Sequence, residues 1–369
     1  AGAGYGFDLL WAVGLVLIFK YPFFQYAHRY TVVTGECLLD GYRRLGAWAL
    51  GLFMLVVVTS SFITLAAVTV VTAGLAGALL GLDLSISALS LILLVVILGI
   101  LALGHYRLLD GMMKVMVIVL GALTLVAVGV AAGHGPAGDP AFAKPDLWSA
   151  AGLTFLLALM GWMPAPLDIG AWTSLWILEK NRGRETPPTL GAALLDFHLG
   201  YGATVVLAVA FISFGALVMF GTGVEFAAGG LGFARQLVEM YTATLGGWSR
   251  WIIALVAFIT MFSTTLTVLD GYGRTLAGGL RLLLKPSDPH RDRHTLLAMV
   301  VLVALAQVII AFFMSGMRTL VDVATVLAFL TAPLVAILNF KVMRAPHVPV
   351  HQRPGRVLTV WSWAGILFL

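Results

Sequence analysis

Residues 160–172 read MGWMPAPLDIGAW, a run that places two methionines, two prolines and an aspartate inside one of the most apolar regions of the chain. Each of these residue types has a chemistry. Met160 and Met163 offer thioether sulfur, a soft donor that suits transition metals better than magnesium or calcium. Asp168 can bind a cation, carry a proton, or cap a helix by accepting backbone N–H groups. Pro164 and Pro166 each lack a backbone N–H, and Pro166 drives Ala165 toward extended geometry. A plainer reading stands beside each of these: methionine as packing, proline as a kink, aspartate as a cap.

Other polar residues fall inside apolar segments. In LLDFHLGYG, Asp196 and His198 lie about two turns past Pro188, placed for a proton relay or for a hydrated gate at the membrane surface. The stretch TMFSTTLTVLDGYGR carries Ser263, Thr264, Thr265 and Thr267, and its Asp270 and Arg274 stand four apart, as a helical ion pair would. Asp322 lies one turn from Arg318, and Thr325 lies deeper in the same segment. Lys20 can snorkel to an interface along its stem or serve a site. Enzyme chemistry finds little support: no phosphate-cradling glycine loop, HExxH or nucleophile elbow occurs. Cys37 is the only cysteine, which excludes an intrachain disulfide and a cysteine-based metal cluster.

The elements that must position these residues are membrane helices. Hydrophobic residues make up 60% of the chain and charged ones 11%, with mean hydropathy +1.00. A water-soluble surface needs about 25% charged residues, so this chain is an all-α polytopic membrane protein. Spans are expected at about 8–28, 46–80, 85–104, 110–131, 148–181, 190–220, 247–282, 295–315 and 319–343, with a partial span from 357. A surface helix is expected at about 232–244, within the long connector 221–246. The segment 147–180 would run roughly 50 Å as one helix, well beyond the ~30 Å hydrocarbon core. Two half-helices joined by an extended linker at the prolines fit better.

Alternate connectors and their flanks collect the basic residues. Arg29, Arg43, Arg44, Arg107, Lys114, Lys180, Arg182, Arg184, Arg274, Arg281, Lys285, Arg291, Arg293, Lys341, Arg344, Arg353 and Arg356 make 17 of the 22. The opposite set holds only Lys144, Arg235, Arg250 and Arg318. By the positive-inside rule the basic set is cytoplasmic. The net charge of +5 is therefore a topology signal, and a nucleic-acid partner is not expected. The span at 8–28 then runs inward, so a first span is expected before residue 1. Counted this way, 148–181 is span six. Spans one to five and six to ten form two halves of opposite orientation, the inverted-repeat plan of many secondary transporters, with broken helices in spans one and six. Residues 1–369 form one transmembrane domain: 1–131 the remainder of the first repeat, 148–343 the second, and 357–369 the start of an additional span.

At span six the sequence resembles the Nramp family of divalent-metal transporters, whose broken sixth span carries a Met-Pro-His motif where Met163 and Pro164 stand here. GFDLLWAVGL with YTVVTGECL is similar to the family's second span, HYRLLDGMMKVMVIVLGA to its loop into span five, and LVDVATVLAFLTAPLVAIL to its span ten. MPAPLDIGAW, LLDFHLGYG and MFSTTLTVLD resemble a divergent bacterial Nramp-like branch. The resemblance implies a LeuT-like fold and proton-coupled import of manganese or iron by a monomer in a bacterial inner membrane. The metal would be substrate, with no resident cofactor. It also implies a metal site using an Asp-Pro-Gly-Asn motif of span one, expected before Ala1. By position Met163 matches the site methionine, Met160 the backbone-carbonyl donor one turn earlier, and Thr325 falls near a family glutamine. Ala165 replaces the histidine. The family's acidic residues of span three have no counterpart in SSFITLAAVTVV, which calls for a non-standard proton route. Asp168 is a candidate for the missing charge. The alternatives are a transporter of magnesium or a small organic solute on the same scaffold, or a non-transporting membrane subunit.

Overall fold

The computed structural model describes residues 1–104, 106–139, 142–182, 188–224, 227, 230–284, 291–312 and 317–369. The described residues are helical throughout their regular segments. In chain order the helices are α1 Gly2–Tyr5, α2 Leu10–Thr34, α3 Leu38–Leu45, α4 Ala47–Leu80, α5 Ile86–Ala102, α6 Tyr106–His134, α7 Ala150–Trp162, α8 Ile169–Asn181, α9 Leu190–Val218, α10 Gly230–Leu245, α11 Arg250–Leu284, α12 Arg291–Phe312, α13 Met317–Met343 and α14 Arg356–Phe368. Seven are long and apolar enough to cross a membrane, while α5, α7 and α14 are shorter apolar helices.

Helix starts follow from capping chemistry. Ser85, Ser149 and Thr189 precede α5, α7 and α9, and each side-chain oxygen accepts the N–H three residues on. The outer faces are apolar, as a lipid-facing bundle requires: Leu91, Ile92, Val95 and Val96 of α5 and Leu297, Val300, Val301, Leu305 and Val308 of α12 are all exposed.

The 34-residue α4 lies at the centre and packs on α5, α10, α11, α12 and α13. At 1.5 Å per residue it is about 50 Å long, so it must tilt or extend beyond the hydrocarbon core. The expected surface helix is α10, which lies against α4, α6 and α11. Two helices were not anticipated, the short α1 and, in the connector 29–45, α3. Helix α3 is pinned by the Asp40 carboxylate accepting from the Cys37 N–H at 3.1 Å and by the ion pair of Arg44 with Glu36. Glu36 is held below the usual carboxylate range, chiefly by the hydrogen bond from Arg44.

The expected interruption of span six is present. Helix α7 stops at Trp162, Met163 is extended (φ −94°, ψ 121°), and α8 restarts at Ile169. Pro164 and Pro166 fall in the gap. Helix α8 packs on α2, α3 and α11. At the α8–α11 contact, a Cβ on Gly271 would lie 2.4 Å from the Trp172 ring, so only glycine lets the two helices approach this closely. The same ring meets Tyr272 edge-on, with centroids 4.5 Å apart. Gly271→Ala is therefore expected to destabilise the protein by about 1–3 kcal/mol through overpacking, seen as a lower unfolding midpoint in nanodiscs. A midpoint equal to the parent's would contradict this packing.

Candidate functional site

The break between α7 and α8 creates a problem that its own residues cannot solve. In a continuous helix the Met160 carbonyl accepts from the N–H four residues on, but that residue is Pro164, which has none. The Gly161 carbonyl loses its helical partner because the backbone has already turned away; the last helical bond is Met163 N–H to Leu159 O at 3.1 Å. Buried backbone carbonyls left without partners are costly in hydrocarbon.

The partner comes from α2. Lys20 is fully buried, and its Nζ donates to the carbonyls of Met160 at 2.7 Å, Gly161 at 2.8 Å and Ala165 at 3.2 Å. An ammonium has three N–H donors, and here three acceptors meet them. This corrects the snorkelling reading of Lys20: its charge turns inward because unpaired carbonyls lie within reach of its stem. On the other side of the break, Gly161 touches α13, where a Cβ would lie 1.9 Å from the Thr325 carbonyl oxygen.

Asp168, 4% exposed, is the residue immediately before α8, but its side chain makes no capping hydrogen bond. Its Oδ2 accepts from the Tyr272 hydroxyl of α11 at 3.0 Å and lies 3.4 Å from Ser60 Oγ of α4, whose hydroxyl also reaches the Val56 carbonyl at 2.8 Å. Tyr272 also lies 3.4 Å from Ser60 Oγ. A carboxylate at the start of α8 is thus placed against α4 at the start of SSFITLAAVTVV.

A second acidic group lies further along α8 and α11. Asp270 is buried and accepts from Trp176 Nε1 at 2.8 Å and from Arg274 Nε at 2.8 and 2.9 Å. The expected i,i+4 pair is therefore present, with an added tie to α8. Asp270 and Arg274 border a cavity of about 520 Å³ that also reaches Glu179, Arg281 and Arg293.

The remaining candidates do not converge on the break as donors. The Met160 side chain is buried with Tyr5, Leu9, Val16 and Leu156, and Met163 packs against the cluster of Val13, Leu17, Ala208 and Ile212. The Thr325 hydroxyl bonds the carbonyls of Val321 and Asp322 in its own helix, so Thr325 meets the break through its backbone. Asp196 and His198 are exposed on α9. His198 reaches α2, with Nε2 2.7 Å from the Tyr21 hydroxyl, one residue from Lys20. The Arg318 side chain lies outside the described residues. Among the described residues no three His, Cys, Asp or Glu side chains cluster to hold a metal.

Sequence reasoning missed Ser60, Tyr272 and Trp176 and undervalued Lys20. For Lys20 a signal existed: a proline four residues after Met160 orphans a carbonyl, and a buried cation elsewhere in the spans is the natural donor. Nothing local marks Ser60 or Tyr272, which meet Asp168 across separations of 108 and 104 residues.

Comparison with known proteins gives a consistent result. The family description "Natural resistance-associated macrophage protein-like", Nramp, matches residues 1–369. An uncharacterized protein of Pasteurella multocida is 36% identical over 375 residues, covering all of this chain and 84% of the relative. Crystal structures of two mutants of the Eremococcus coleocola manganese transporter superpose with TM-scores of 0.72, at 13% identity, covering all of this chain and 79% of theirs. The same transporter in complex with an aromatic bis-isothiourea compound gives 0.62. At that identity the likeness speaks for the fold.

Tyr272→Phe removes the nearer of the two hydroxyls on Asp168. It should cost about 1–3 kcal/mol, as expected when a buried acceptor loses a donor, read as a lower unfolding midpoint. An unchanged midpoint would show that this hydroxyl does not support the carboxylate.

Proposed function

This chain belongs to the Nramp family, and from that premise we propose that it is a secondary transporter moving divalent metal cations of the manganese or iron kind across the membrane by alternating access. The carrying observation is the break of span six, where three backbone carbonyls converge on a single positive charge inside the bundle. Unwound backbone at membrane depth is tolerated where it lines a binding position, and free carbonyls there suit a cation. In this reading α7 and α8 are the two halves of span six in a five-plus-five inverted repeat. The stretches 1–131 and 148–343 belong to the two repeats, and 357–369 begins an additional span. The basic connectors face the cytoplasm of a bacterial cell, and the protein works as a monomer.

Asp168 is assigned the charge that span three lacks. Its carboxylate touches Ser60, in the stretch where the resembling family carries acids, so the charge is contributed from α8 rather than α4. It acts on the transported cation directly or as a proton acceptor. Asp270 with Arg274, and His198 beside Asp196, are assigned to the path or gate leading to the break.

One observation favours magnesium as a second substrate reading: the Met160 and Met163 side chains are engaged in apolar packing, which leaves oxygen donors at the break.

The test is uptake of Mn²⁺, Fe²⁺ and Mg²⁺ into proteoliposomes, with and without a pH gradient. Mn²⁺ or Fe²⁺ flux above protein-free vesicles is expected, and Asp168→Ala should lower it about tenfold or more, the range typical for losing a group that supports a metal site. Flux only of Mg²⁺ would move the assignment to the harder cation, and no flux of any metal would overturn it. Undiminished flux in Asp168→Ala would remove that residue from the mechanism.

A further inference from the structure

Lys20 places a fixed positive charge where the proposed function needs a mobile one. Its Nζ makes three hydrogen bonds of 2.7, 2.8 and 3.2 Å, all to backbone carbonyls of the broken helix. No ion pair joins Lys20 to a carboxylate among the described residues. The ammonium is held by carbonyl dipoles, the ligand type that serves a cation at an unwound membrane helix. One of these carbonyls, that of Met160, has its helical partner removed by Pro164 and is free to take a cation. Two charges cannot share the carbonyls: a metal ion there would lie within bonding distance of a second positive centre.

We propose that Lys20 is a tethered cation which occupies the cation position of the span-six break in the unloaded protein and competes with the transported ion for it. This deepens the transport reading and rests on it. With no substrate bound, the carbonyls of Met160, Gly161 and Ala165 would be buried without partners, and Lys20 satisfies them. When a metal arrives, Lys20 must give up those carbonyls, and its displacement withdraws the α2 contact that holds α7 to the linker. Substrate binding is thereby tied to a change between α2 and the break. A purely structural staple would have no such tie: removing it would loosen the protein without sharpening its affinity for metal.

The experiment measures Mn²⁺ binding to the full chain in nanodiscs, for the parent, Lys20→Met and Lys20→Gln, alongside Mn²⁺ uptake by the parent. Methionine keeps the length of the stem and removes the charge. Glutamine also removes the charge but retains two N–H donors for the carbonyls, so it carries the test if Lys20→Met does not fold. Both variants are expected to bind Mn²⁺ about tenfold tighter or more, since an adjacent charge shifts an ionic equilibrium by at least that factor. If the parent binds and transports Mn²⁺ but the variants bind it equally or more weakly, Lys20 is a staple and the proposal falls while the transport reading stands. If the parent does not bind Mn²⁺ and the variants do, Lys20 holds the break without yielding to Mn²⁺, which overturns both the proposed competition and native Mn²⁺ transport. If none of the three binds, both readings fall.

Discussion

A backbone carbonyl buried away from water must find a donor, and in this protein that requirement becomes acute at one place. Pro164 denies the Met160 carbonyl its helical partner, and the turn that follows strands Gly161 as well. The arrangement around α7 and α8 answers this. Lys20 crosses from α2 to supply three N–H groups. Gly161 is bare, so the α13 backbone can close over the other side of the break. A proline in a membrane helix can be absorbed as a kink. Here an extended Met163 followed by two prolines produces a gap, and a gap needs a charge or an ion to fill it.

The interior therefore carries charges that come as complementary groups from different helices. The ammonium of Lys20 enters from α2, and the carboxylate of Asp168 stands at the start of α8. Neither is neutralised by direct contact with the other. Carbonyl dipoles hold one, and the hydroxyls of Tyr272 and Ser60 hold the other. Charges solvated by neutral dipoles remain available to an arriving ion in a way that a closed salt bridge does not. Asp270, tied to Arg274 and Trp176, shows the opposite arrangement, a carboxylate already committed to a cation. The contrast separates a carboxylate held by hydroxyls from one already paired with a cation.

The contacts of Asp168 also account for a departure from the resembling family. That family places acids in span three. Here the corresponding helix offers Ser60, and a carboxylate meets it from span six. The Trp172 ring on Gly271 and its edge contact with Tyr272 hold α8 and α11 in the register that makes this possible.

The sequence by itself determined the class of the protein, the rough bounds of its long helices and the interruption between α7 and α8. Each rests on local physics: too few charges to face water, apolar runs matched to the bilayer, and prolines that cannot donate. Expected and observed segments agree within a few residues across most of the chain, and the i,i+4 pair of Asp270 and Arg274 was legible for the same reason. Tertiary structure alone decided which groups meet at the break. Met160 and Met163, the residues whose chemistry looked most like a metal site, turn their side chains into apolar packing, while the Met160 carbonyl, which the resemblance had named as a donor, accepts from Lys20. Lys20 lies 140 residues from that carbonyl, and Tyr272 lies 104 from Asp168. A sequence specifies a side chain's length and charge locally. Which of several buried partners it reaches depends on how the helices cross, and that is set by packing across the whole bundle.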